Sequence, residues 1–227
     1  MISLISELPK ISKINAELVK INCLYESYPN DEKVMFWSQD NDRALISMTD
    51  GNMIIYNNNA DLQEIKSFIN VLSPACIFSD YETLLGLDRK PKEKIYVMHR
   101  KADVKFEEES DVLSSKEIYD LLDTVGLSLP EYPYFAVDYC HRLNRGLADY
   151  FAIKDKCAAV TFNTKEYAIM NGIASREKGF GSLALKGALN KNYGKEFLVC
   201  CREKIKGFYE KEGFTPIYYA GYWVRGI

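Results

Sequence analysis

Two histidines in 227 residues leave too little imidazole for a histidine-rich metal site. The six cysteines, Cys23, Cys76, Cys140, Cys157, Cys200 and Cys201, show neither C-x-x-C spacing nor a secretory context. Cys200 and Cys201 are neighbours, and neighbours on a strand point to opposite faces, so they do not form a metal pair. No metal is expected, and the thiols are expected to be reduced, in a cytoplasmic protein. No apolar run approaches the ~18 residues of a spanning helix. The opening "MISLISELPKISK" puts Glu7 and Pro9 where a secretory leader needs an unbroken apolar stretch. Neither export nor a membrane partner is expected. A surplus of positive charge is also missing: 29 basic against 32 acidic residues give a net charge of −3, which argues against nucleic acid as the partner. The clusters "DRKPKEK" and "REKIK" both contain acids and read as solvated faces.

What the chain does have is core material, with 47% hydrophobic and 13% aromatic residues. The pattern is α/β. Residues 34–38, 43–48 and 52–57 alternate like antiparallel strands separated by Asn/Asp/Gly turns, and 60–72 carries Leu62, Ile65, Phe68, Ile69 and Leu72 at helical spacing. Strands at 75–79 and 94–100 flank a short helix "YETLLG". The polar, acidic stretch that follows divides the chain into an N-terminal α/β domain (1–103), a linker (104–111) and a second domain (112–227). That domain opens with a helix capped by serine and ended by Gly126. After the loop "LSLPEYP", a second helix stops at Gly146, and strands follow at 148–153, 157–163 and 166–174. The last is apolar on both faces, as a central strand is. A helix after Gly179, a strand at 196–201, a helix at 202–213 and closing strands in "TPIYYAGYWV" complete the chain.

Between the strand 166–174 and its helix lies "REKGFGS". Glycines at a helix start let the backbone approach a ligand, and the unpaired N–H groups and helix dipole there suit a phosphate. The same stretch also reads as a plain turn. It is neither a P-loop, which needs G-x-x-x-x-G-K-[ST], nor a dinucleotide fingerprint, whose third glycine is absent.

Two elements together resemble the GNAT superfamily of acetyl-CoA-dependent N-acetyltransferases. Arg176-Glu177-Lys178-Gly179-Phe180-Gly181 fits that family's [RQ]-x-x-G-x-[GA], and "REKIKGFYEKEGF" keeps Tyr209, Glu210, Lys211, Gly213 and Phe214 of its N-x-x-A-x-x-x-Y-E-K-x-G-F. The order of elements is also the family's, over about 112–227. The resemblance implies a mixed, mostly antiparallel sheet flanked by helices, with the N-terminal half a degenerate GNAT-like copy or an unrelated α/β domain. It implies acetyl-CoA as co-substrate and a small-molecule or peptide amine as acceptor, and it leaves the oligomeric state open. Residues Ile173, Ala174, Ser175, Arg176, Glu177, Lys178, Gly179, Phe180, Gly181 and Ser182 would bind the coenzyme, with amides near Ile173 and Ala174 on the thioester oxygen and Gly172 marking an irregularity in the strand. Arg202 and Ile205 stand where the family has Asn and Ala beside the pantetheine arm, and the loop before Arg176 is shorter than usual.

Direct attack by an amine on a thioester requires a neutral amine, a polarised carbonyl and a proton for the thiolate. Tyr209 is the expected general acid; its pKa of ~10 lies above the ~8.5 of a thiol, so donation is slightly uphill. On periodicity alone Tyr209 reads as helix packing; the resemblance to the family motif is what favours the acid. No base stands out. Glu166, opening the strand 166–174, is the catalytic candidate, and Glu131, in the helix–helix loop, the substrate-binding one; each reads more simply as surface charge. His99 and His141 read as structural, and the tyrosines of "PIYYAGYWV" as strand faces. A CoA-binding regulatory module without turnover is the alternative to an enzyme.

Overall fold

The alternation in residues 43–57 becomes strands with both faces covered, and the rest of the architecture is built around them. The computed structural model describes residues 1–9, 13–29, 31–40, 42–127 and 129–226. Along the chain run β1 (Ile2–Leu4), α1 (Ala16–Ser27), β2 (Val34–Gln39), β3 (Ala44–Thr49), β4 (Asn52–Asn57), α2 (Leu62–Leu72), β5 (Cys76–Asp80), α3 (Tyr81–Gly86) and β6 (Lys94–Lys101). They are followed by α4 (Ser115–Asp123), α5 (Tyr132–Asn144), β7 (Ala148–Ile153), β8 (Cys157–Asn163), β9 (Tyr167–Ser175), α6 (Phe180–Lys191), β10 (Glu196–Arg202), α7 (Glu203–Lys211) and β11 (Thr215–Val224). Three strands, helix, strand, helix, strand is thus a sequence of elements that occurs twice.

Two compact units result. One holds Met1–Met98 with Cys200–Ile227, the other His99–Val199. The division in chain order at 103–112 therefore differs from the division by packing, because the last helix and strand join the first segment. In that unit the strand order is β1-β2-β3-β4-β5-β11-β6. β2, β3 and β4 are antiparallel neighbours, β4 and β5 pair in parallel over Asn52–Ile55 and Cys76–Ser79, and β11 runs antiparallel to β5. Period-two alternation sorts the side chains. Ala44, Ile46, Met53 and Ile55 pack under α2 and α3, whereas Leu45 and Tyr56 pack with Leu18 and Ile21 of α1.

In the second unit the order is β10-β9-β8-β7, so β9 is internal, as its two apolar faces required. On one face Ile118, Leu121, Leu122, Phe135 and Tyr139 of α4 and α5 cover Ala152, Ala158, Val160 and Ala174. The opposite face carries Phe151, against which Gly187 of α6 lies so close that a Cβ there would come 2.1 Å from the ring. Gly187→Ala should therefore destabilise the protein by about 2 kcal/mol, overpacking outweighing the ~1 kcal/mol helix-propensity gain. A melting point lowered by about 4–8 °C is expected; an unchanged or higher one would mean the ring slides aside at no cost.

Three expectations need correction or completion. α1 and β1 are elements that the sequence pattern did not announce. "TPIYYAGYWV" is one strand, β11, rather than several. Residues 104–111 contain no helix or strand but are held down: the Phe106 and Phe151 rings meet edge-on at 5.7 Å, and Asp111 N–H donates to the Ala152 carbonyl at 2.9 Å. Residues 10–12 of the N-terminal stretch and Ser128 of the helix–helix loop lie outside the described residues. Among the described residues no helix is long and apolar enough to cross a membrane, and no group of three His, Cys, Asp or Glu side chains could hold a metal ion.

Candidate functional site

The site begins where β9 loses a neighbour. β10 pairs with β9 only over Tyr167–Ile169, so from Met170 to Ser175 the edge of β9 on that side has no ladder partner from β10. On its other side the register with β8 slips: Val160 faces Gly172 and Thr161 faces Met170, leaving Asn171 as an extra residue. This is a β-bulge, and bulges re-aim the backbone beyond them. The irregularity expected at Gly172 thus sits at the adjoining residue. Gly172 itself packs under α4, where a Cβ would come within 3.1 Å of a Leu122 methyl and 3.3 Å of a Leu127 methyl. Ile173 and Ala174 follow the bulge, paired with Ala159 and Ala158 on the β8 side.

Past Ser175 the chain turns. Arg176 N–H donates to the Lys156 carbonyl at 2.8 Å, and the Ser175 hydroxyl donates to the Glu177 carbonyl, which fixes the start of the loop. Arg176, Glu177 and Lys178 are exposed. Gly179 is the N-cap of α6 with φ 93°, a region that disfavours any Cβ, and nothing lies within 4 Å of where one would stand. No side chain caps the helix and no acid occupies its first turn. The amides of Gly181 and Ser182 have no intrahelical acceptor, because a helical N–H bonds four residues back. Phe180, the first helical residue, has Lys156 Nζ over its ring at 4.7 Å.

The corresponding helix in the first repeat, α2, begins differently. Asp61 caps it, its side chain accepting from the Gln63 and Glu64 amides, and Glu64 adds an acid to the first turn. A carboxylate there already takes what an anionic ligand would need. Only α6 of the two presents open, uncapped amides.

Glu166 is not brought to this place. It precedes β9, its carbonyl accepting from Glu196 N–H at 3.0 Å, and seven residues of strand put it about 23 Å from Ile173. Glu131 is the N-cap of α5, exposed and without a side-chain cap bond. His99 meets Glu196 at 2.6 Å. In the other unit, Arg202 is the N-cap of α7 and pairs with Glu93 at 2.8 Å, and Ile205 is half exposed. Tyr209 is buried, its ring edge-on to Phe208 and Phe214. Burial pushes its hydroxyl pKa well above the usual tyrosine range, with Cys201 and Cys200 adding to the effect.

The chain has the fold of the GNAT acetyltransferases. An acetyltransferase of the GNAT family from Colwellia psychrerythraea superposes with a TM-score of 0.51 at 12% identity, covering 99% of this chain and 100% of its own. A tandem GNAT protein from the clavulanic acid biosynthesis pathway, solved without AcCoA, gives 0.54 at 10% identity, covering 89% and 86%. A functionally unknown conserved protein from Staphylococcus epidermidis gives 0.55 at 10% identity, covering 88% and 95%. No protein-family model and no curated protein matches the chain in sequence.

Proposed function

We propose that the protein transfers an acyl group, acetyl in the first instance, from acyl-CoA to a primary amine. The observation that carries this reading is the open, uncapped start of α6 directly beyond a bulged strand whose edge has been vacated by β10. The donor set fits an anionic coenzyme: amides of Gly181 and Ser182 with no intrahelical acceptor, a glycine N-cap with free space beside it, no first-turn acid, and exposed Arg176 and Lys178. Bound acyl-CoA would supply the thioester that makes the acyl group transferable.

The residues divide the work as follows. Backbone N–H groups from Gly179 to Ser182 hold the diphosphate, each contributing roughly 0.3–1 kcal/mol, so that several must act together with Arg176. Amides near Ile173 and Ala174 polarise the thioester carbonyl, which fixed donors do better than mobile water. Tyr209 gives its proton to the departing thiolate. The amine must arrive neutral or lose a proton on site, since a pKa of about 10.4 leaves little free base at pH 7.

Gly179→Val tests the cradle. A β-branched residue at φ 93° is strained by roughly 1–3 kcal/mol and pulls the loop from its course. Acetyl-CoA affinity measured by calorimetry should fall at least about tenfold, while the circular dichroism spectrum stays that of the parent. Unchanged affinity would remove α6 from the binding site. Coenzyme binding with no thiol release across a broad amine panel would instead favour the regulatory module.

A further inference from the structure

The turn between β7 and β8 carries two lysines in different situations. Lys154 is engaged: its N–H donates to the Asp111 carboxylate at 2.7 Å, and its ammonium pairs with Glu117 at 3.6 Å. Lys156 is half-buried, and its backbone is fixed on both sides. Its N–H donates to the Ile153 carbonyl at 3.0 Å, and its carbonyl accepts from Arg176 N–H, just past β9, at 2.8 Å. Its ammonium lies 4.7 Å from the centroid of the Phe180 ring, and among the described residues it has no carboxylate partner. The ring attracts the charge but offers no lone pair to its three N–H donors. Helical side chains lean toward the N-terminus, so ring and ammonium stand on the side to which the Gly181 and Ser182 amides point. A cation is unfavourable there, because the positive end of the helix dipole opposes it and exposed Arg176 and Lys178 add to the repulsion. Such a set of charges is favourable only toward an anion.

The first repeat shows the same position closed. Arg43, in the turn before β3, occupies it: its carbonyl accepts from Asn58 N–H, just past β4, at 2.7 Å. Its guanidinium, however, donates to the Asn59 carbonyl at 2.7 Å, and Asp40 and Asp42 share its turn. With Asp61 capping α2, that helix start is sealed twice over. In the second repeat the cap and the cation are both open.

We propose that Lys156 binds a phosphate group of the acyl-CoA, as the charged partner of the α6 amides. This rests on the acyl-CoA reading given above. The hairpin fixes the lysine backbone and the ring holds its tip, so it loses less rotamer freedom on binding than exposed Arg176 or Lys178 would. Its hydrogen bonds to a phosphate are charge-assisted, and the ammonium forms them without leaving the ring.

The test is calorimetric binding to the full chain of acetyl-CoA and of acetyl-dephospho-CoA, which keeps the diphosphate and lacks the ribose phosphate. Lys156→Met, whose stem still covers the ring, should weaken acetyl-CoA binding about tenfold at low ionic strength, and Lys156→Arg should stay within about threefold of the parent. The gap between parent and methionine variant should narrow at about 1 M salt, where charges are screened beyond ~3 Å. An equal loss with both coenzymes assigns the lysine to the diphosphate; a loss with acetyl-CoA alone assigns it to the ribose phosphate. No loss with either overturns the proposal. So does a loss that Lys156→Arg fails to restore or that salt leaves unchanged, since both mark a packing role. Lys156→Gln takes the place of the methionine variant if that one does not fold. A parent that binds neither coenzyme sinks the acyl-CoA reading and this proposal together, whereas equal affinities in the parent and the neutral variant sink this proposal alone.

Discussion

Tyr209→Phe should lower turnover by about 100-fold, or about 2.7 kcal/mol of barrier, and leave acetyl-CoA affinity nearly intact. The substitution deletes one oxygen. The ring keeps its contacts with Phe208 and Phe214, so a loss of rate without a loss of melting temperature would isolate the hydroxyl. Burial raises the hydroxyl far above the ordinary tyrosine value, which has two opposing consequences. Full proton transfer to a thiolate becomes more uphill, but a thiolate in the same dry surroundings is destabilised as well and gains more from a donor. Tyr209 also stays protonated across the whole working range. The rate should therefore show no basic limb from this group below pH 10 or so. A variant that turns over at the parental rate at every pH would end the general-acid assignment.

The second large effect is on stability, and its sign follows from Glu17. Glu17 of α1, one turn before Lys20, is 1% exposed and accepts from the Tyr218 hydroxyl. That burial lets its carboxyl hold a proton up to about pH 7 against an ordinary value of 4.5. Between those two values the native state binds more protons than the unfolded chain, so stability falls as pH rises through this window. The full cost is present above pH 7 and absent below about 4.5. Multiplying the shift by 1.36 kcal/mol per unit gives a loss on the order of 3 kcal/mol. Glu17→Gln, which is neutral at every pH, should abolish this slope and be the more stable protein at pH 8. Denaturant titrations of both proteins at pH 5, 6, 7 and 8 measure it directly. Parallel curves for the two proteins would show that water, or a shift of Lys20, relieves the buried charge.

Much of this was legible in short stretches of sequence. The strand alternation of residues 43–57, the amphipathic α2, the capping serine of α4 and the glycine stops at Gly126 and Gly146 each follow from a window of a few residues, and each forms as patterned. The glycine loop was visible because φ 93° at Gly179 is a demand that the sequence meets with a specific residue. α1 was not, because it is buried on nearly every side and so loses the apolar–polar period by which helices are read. Its one local signal was Asn15, whose side chain accepts from Leu18 N–H. With the helix, Glu17 was overlooked too. Nor could any window reveal that β11 lies between β5 and β6, since nothing local in a strand encodes its neighbours. The acid drawn from local position, Glu166, precedes β9, at the end of the strand away from Ile173. The buried acid that only packing reveals, Glu17, lies some two hundred residues from the tyrosine bonded to it.

The carboxylate of Asp61 at the head of α2 has a historical consequence. If both repeats descend from one ancestor, the earlier copy has sealed itself with its own side chain, and removing that seal would leave Glu64 still repelling any visitor. Opening that helix start to an anion would take at least two changes, the first of which weakens the helix and gains nothing in exchange. Such a step is a ratchet: drift carries a copy across it readily and seldom carries it back.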